Sequence, residues 1–187
     1  MTPVALVAPP GVDVAAVALA LAALLGVEAR DADAVVAEQA GTSVADLLLD
    51  VGEAELRQHQ ERAALALLQA GPGVVALGSG AVEIASVREA LRTMAGAVVL
   101  LDLPWSESAR RIGLGMAGAT ALGPLRASWR AMYERRHALL DEVSTLTVPV
   151  GDQDTDRLAA AVAEALDSTV TLDSTATADG AGKAAAR

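Results

Sequence analysis

The stretch LVAPPGVDVAAVALALAALLG, Leu6–Gly26, decides how the rest of the chain is read. Its apolar start reads as a strand, its Pro-Pro-Gly as a tight turn, and its long apolar end as a helix. Strand, glycine turn and helix form the frame in which phosphate-binding loops occur. There the helix N-terminus offers free N–H groups and the positive end of its dipole. Yet from Leu6 to Gly26 there is no lysine, serine or threonine to touch a phosphate or its metal.

Bulk properties narrow the function. The 187 residues suit one domain with a sizeable core. Hydrophobic residues make up 53% but aromatics only 2%, so the core is built from Ala, Val and Leu. A net charge of −10 repels nucleic-acid phosphate and anionic lipid, which argues against both as partners. There is no cysteine, so disulfides and thiolate metal sites are excluded. The basic residues are 13 Arg and one Lys, Lys183. The uncharged run Val14–Val27 is shorter than the roughly 20 residues of a membrane span. No Lys or Arg precedes that run, so it does not read as a signal peptide, and cytoplasmic residence is expected.

Working outward, Val4–Ala8 reads as a strand and Val14–Leu25 as a helix apolar nearly all round, hence buried. RDADAVVAEQAG, 30–41, reads as a helix with acidic residues in its first turn. Ser43 is a candidate N-cap for the next helix, and EAELRQHQERAALALLQA, from Glu53, forms a longer one. Buried strands are expected near Val74–Leu77, at 97–104 and at 145–150. Helices are expected at Ile84–Met94, after Ser106 as a cap, at Leu125–Val143 and from Asp154 on. LGMAGATALGP, 114–124, reads as a flexible loop. Uniformly apolar strands alternating with helices predict a parallel sheet covered on both faces. From Asp167 the composition turns to Ser, Thr, Ala, Asp and Gly, so the domain is expected over 1–166 with a disordered tail over 167–187.

Several ordered landmarks carry a resemblance. They are DAD (31–33), GTSVADLLLDVGEAELR (41–57), LGSGAV (77–82) and MYERRHALLDEVS (132–144). In this order and spacing the chain resembles the shikimate kinases, small P-loop kinases, over about Val4–Leu166. The resemblance implies a three-layer P-loop-kinase-like fold with about five parallel strands. It implies that Asp33 meets shikimate hydroxyls near the reacting one. Arg57 and Arg136 would clamp the shikimate carboxylate with planar guanidinium forks. Gly78 and Gly80 would let backbone approach the ring, and Asp31 would help to hold magnesium. Arg110 and Arg111 match an arginine pair that contacts the nucleotide.

The nucleotide half departs from the family pattern. In register with G-x-x-x-x-G-K-[ST], the defining positions are Ala8, Asp13, Val14 and Ala15, and only the intervening Gly11 is kept. Val14 replaces the lysine of the β- and γ-phosphates, and Ala15 the magnesium hydroxyl. From Leu114 to Leu125, where the family lid carries an arginine, there is none. An Asp at position 13 is expected to cap the helix and accept the N–H groups itself. Its charge would repel a phosphate at ~4 Å by about 4 kcal/mol at an effective dielectric near 20.

Each candidate has a plainer reading. Asp31 and Asp33 suit a helix's first turn in any case. Arg57 has Glu53 and Glu61 one turn away on either side, an ordinary ion-pair face. Arg136 falls on the apolar stripe of Trp129, Met132, Tyr133, Leu139, Leu140 and Val143. A guanidinium facing inward needs an anion, either an internal carboxylate or a ligand's. His59 and His137 read as surface residues, His137 paired with Asp141, and Trp129 with Tyr133 as core.

The expected function is a catalytically impaired shikimate-kinase-like protein. It keeps an acid pocket for a small hydroxy acid such as shikimate and needs no cofactor. It would serve as a regulatory or partner subunit in aromatic amino-acid biosynthesis. One alternative is an active divergent shikimate kinase using ATP and Mg2+, with Arg110, Arg111 or Arg126 supplying positive charge. A second alternative is an assembly scaffold that binds no ligand.

Overall fold

A computed structural model describes residues 2–114 and 123–181, the segment 170–181 as backbone only. Five strands form one parallel sheet in the order β2-β3-β1-β4-β5. They are β1 (Val4–Val7), β2 (Ala29–Asp31), β3 (Val74–Ala76), β4 (Ala97–Asp102) and β5 (Leu146–Pro149). The central β1 pairs Val4 with both Val74 and Ala97. The helices are α1 (Val14–Leu25), α2 (Ala32–Ala40), α3 (Val44–Val51), α4 (Glu53–Gln69), α5 (Ala85–Thr93), α6 (Trp105–Arg111), α7 (Gly123–Val143) and α8 (Thr155–Ala181). A 3-10 turn at Ala81–Glu83 precedes α5. Among the described residues no helix is long and apolar enough to cross a membrane.

The two-residue period of the strands divides the core into layers. Val4, Leu6 and Ala8 face the α1 and α8 side, with Leu21, Leu158 and Val162. Ala5 and Val7 face the other side, with Leu68, Leu91 and Leu140 of α4, α5 and α7. A smaller cluster of Val36, Leu47 and Leu56 joins α2, α3 and α4 into a lobe beside the sheet.

Several expectations need correction. Helix α1 is buried on one side only, with Leu19 68% and Leu24 59% exposed. β2 was not expected: ARD is only half-buried and lacks an apolar run, and pairing with β3 makes it a strand. Helix α6 begins at Trp105 behind Pro104, so Ser106 is inside the helix and not its cap. Residues 115–122 of the Gly-rich stretch lie outside the described residues, and Gly123 already belongs to α7. Helix α8 continues past Leu166 to Ala181, across the expected tail boundary. Two hydroxyls there, those of Ser168 and Thr169, bond back to the carbonyls of Glu164 and Ala165, which suits them to a helix. Residues 182–187 lie outside the described residues.

Candidate functional site

The turn between β1 and α1 lies at the C-terminal edge of the sheet, where open parallel sheets bind ligands. Gly11 has φ +98, and a Cβ there would stand 3.2 Å from the Cβ of Arg111. Only glycine meets both demands. The Ser108 hydroxyl, fully buried on α6, donates to the Pro10 carbonyl at 2.6 Å. Arg111 donates to the carbonyls of Gly11 at 3.4 Å and Gly151 at 3.1 Å. Arg110 turns away to an exposed ion pair with Glu107 at 2.7 Å. Of the two arginines, only Arg111 is brought to the loop.

Asp13 is the N-cap of α1, and its Oδ1 accepts the Ala16 N–H at 3.0 Å. The cap expected from the sequence is therefore present. Val14 and Ala15, which follow it, put aliphatic side chains at the helix start.

Across a cavity of about 300 Å3 from this loop stand Asp31, Asp33, Gly78 and Ser79. Asp31 ends β2 and caps α2, its Oδ1 accepting the Asp33 N–H at 3.0 Å. Asp33 lies against Gly78, where a Cβ would sit 2.5 Å from its Oδ2. Gln60 Nε2 donates to Asp33 Oδ1 at 3.3 Å. Burial pushes the Asp33 carboxyl above its ordinary value; the Gln60 bond and the Arg57 charge offset this only in part.

The third component is a group of arginines. Arg57 comes from α4, Arg135 and Arg136 from α7, and all three meet Glu83 on the 3-10 turn. Glu83 Oε2 accepts from Arg57 Nη2 at 3.1 Å and from Arg136 Nε at 3.0 Å. Glu83 Oε1 accepts from Arg135 Nη2 at 2.6 Å. Arg136 Nη1 also donates to Ser79 Oγ at 3.3 Å, which ties the arginines to the cavity wall. A Cβ on Gly80 would overlap the Arg57 guanidinium as it stands, so this glycine gives that guanidinium room beside the backbone. Burial raises the Glu83 pKa, but the bonds and charges of Arg135 and Arg136 outweigh it and hold the carboxyl below its ordinary value.

Asp33, Arg57, Gly78, Gly80 and Arg136 are thus brought to one face of the sheet's edge. The anion demanded by inward-facing Arg136 is an internal one, Glu83. Glu83, Arg135, Gln60 and Ser79 were not singled out from the sequence. Arg135 and Glu83 are 52 positions apart, so only the fold pairs them. Glu53 pairs with Arg57 at 3.2 Å as expected, while Glu61 instead accepts from Ser86.

In a neighbouring cluster His137 keeps its expected pairing with Asp141 but is half-buried and not a surface residue. Its Nε2 lies 2.9 Å from Asp102 Oδ1 and its Nδ1 3.3 Å from Asp141, with 26% of the side chain exposed. Tyr133 packs edge-on against Trp105, at 5.5 Å between centroids, where Trp129 was expected. Its hydroxyl donates to the Leu103 carbonyl at 2.7 Å. Burial pushes the Tyr133 pKa up to about 12.

Comparison with known proteins agrees with this architecture. The family model for shikimate kinase matches residues 15–167. A shikimate kinase of Salinispora arenicola is 37% identical over 89% of this chain and 99% of its own length. One of Thermobifida fusca is 34% identical over 86% of this chain and 92% of its own length. The shikimate kinase of Acinetobacter baumannii, solved in complex with shikimate, superposes with a TM-score of 0.80 at 25% identity, covering 90% of this chain and 94% of that one. The chain belongs to the shikimate kinase family.

Proposed function

We propose that the chain binds a shikimate-type hydroxy acid at the Asp33–Arg57–Arg136 site and has lost phosphoryl transfer. The observation that carries the second half is Asp13, whose carboxylate accepts the Ala16 N–H where a phosphate would seek such donors. With Val14 and Ala15 beside it, the loop residues do not fit a magnesium-bound triphosphate. Asp31, the residue the family resemblance gave to magnesium, spends its Oδ1 on capping α2.

The acid half rests on the arrangement of side chains. Arg57 and Arg136 present guanidinium forks suited to a carboxylate. Asp33, beside Gly78, accepts from ligand hydroxyls, and Gly78 and Gly80 give the Asp33 carboxylate and the Arg57 guanidinium room against the backbone. The relative solved with shikimate bound supports this choice of acid. A protein of this kind acts through its ligand-bound state, as a regulatory or partner subunit in the cytoplasmic synthesis of aromatic amino acids. The acidic surface argues against nucleic acid and anionic membranes as partners.

A second reading, an active shikimate kinase using ATP and Mg2+, is favoured by one specific observation. The relatives that match over nearly their whole length are named shikimate kinases. Thermal stabilisation by shikimate and by ATP with magnesium, beside a coupled turnover assay, separates the two. A ligand at 100 times its Kd adds about 2.7 kcal/mol. Stabilisation by shikimate alone, without turnover, is expected. The triple change Asp13→Gly, Val14→Lys, Ala15→Ser is expected to gain ATP affinity. Turnover by the unaltered chain establishes the second reading, and no response to either ligand leaves the scaffold.

A further inference from the structure

We propose that Glu83 is a built-in competitor for the carboxylate of the acid ligand, setting how strongly the arginine site binds anions; this rests on the acid site of the proposed function. Arg57 and Arg136 stand on different helices, yet both donate to one oxygen, Glu83 Oε2. A carboxylate oxygen shared by two guanidiniums is the arrangement a ligand carboxylate would adopt between them. Glu83 is only 18% exposed, so its charge is weakly screened by solvent. An incoming carboxylate that takes the same two guanidiniums meets that like charge, and like-charge juxtaposition weakens binding.

The cluster also provides for release. Oε1 of Glu83 is bound by Arg135, whose side chain is 61% exposed. Arg135 therefore retains the displaced carboxylate on the solvent side while Arg57 and Arg136 turn to the ligand. With Glu53 also on Arg57, three guanidiniums against two carboxylates still leave positive charge for a ligand's carboxylate. Arg136 reaches Ser79 on the cavity wall, so the contested charge borders the cavity that Asp33 lines.

Calorimetric titration with shikimate tests the proposal on the full chain. Glu83→Gln is expected to bind shikimate about tenfold more tightly than the unaltered chain, since one like charge is gone. The gain is expected to vanish in the double variant Glu83→Gln, Arg136→Met. Equal or weaker binding by Glu83→Gln overturns the proposal and makes Glu83 a residue that merely orients the arginines. If neither protein binds shikimate, the acid site of the proposed function falls, and inorganic sulfate decides the competitor role. Thermal stabilisation by sulfate that appears only in Glu83→Gln, and is lost with Arg136→Met, supports it. Sulfate acting on both alike, or on neither, overturns it. Should Glu83→Gln fail to fold, Glu83→Met carries the same test with the same expected and overturning results, because it too removes the charge.

Discussion

At positions 33 and 83 two carboxyls are driven in opposite directions by their surroundings. Glu83 has its pKa lowered from 4.5 by its arginines, so the folded state favours its charged form. That contribution is fully present above pH 4.5 and is lost as pH falls through the lowered value. Asp33 has its pKa raised from 3.8, chiefly by burial, so its charged form opposes folding at neutral pH. That opposition is relieved as pH falls through the raised value. Urea midpoints measured from about pH 7 down to 3 are expected to show both effects. Glu83→Gln should flatten the acid-side decline, and Asp33→Asn should raise stability at neutral pH. A Glu83→Gln curve parallel to the unaltered one below pH 4.5 counts against the linkage. At this scale the Asp13 cap was legible, because capping is a local matter of a carboxylate and a helix start. The choice between a ligand and Glu83 as the partner of Arg136 was not, since both satisfy the same buried charge.

Helix α1 shows what a single element reveals and conceals. Its bounds, Val14–Leu25, are those read from the sequence, for Asp13 starts it and Gly26 in the left-handed region stops it. Its burial was overestimated, because an apolar sequence does not say how many neighbours a helix has. Leu21 is wholly buried beneath it, while Leu19 faces outward. Leu21→Ala is therefore expected to cost about 2–5 kcal/mol, the range for truncating a buried leucine. Leu19→Gln should stay within about 0.5 kcal/mol, the range for surface changes. Chemical denaturation of the two variants checks the contrast, and equal losses would contradict the one-sided packing. Strand β2 shows the opposite error. A three-residue, half-buried strand carries too few apolar positions to reveal its period.

Over the whole molecule, the sheet order places the loop, Asp33 and the arginine cluster at one edge. β1 and β3, neighbours in the sheet, lead into the loop and into the Gly78–Glu83 segment. Beyond Asp167 the chain is rich in Ser, Thr, Ala, Asp and Gly and offers few large apolar side chains to a core. Among the described side chains of α8, Leu158, Ala159 and Val162 are buried and Leu166 is partly buried. A chain ended after residue 169 is expected to melt within a few degrees of the full one, as a loss below 1 kcal/mol implies. A much larger fall in Tm would show that the last turns of α8 pack on the domain.

The sequence by itself determined the family, the parallel alternation of strands and helices, and the Asp13 cap. Each of these follows from local spacing or residue type, which the chain carries wherever it folds. Only the tertiary structure decided that Glu83 joins Arg57, Arg135 and Arg136, that Asp33 is buried against Gly78, and that Asp102 holds His137. These contacts join residues far apart along the chain. Their charges settle one another only after the sheet and α7 have closed the distance.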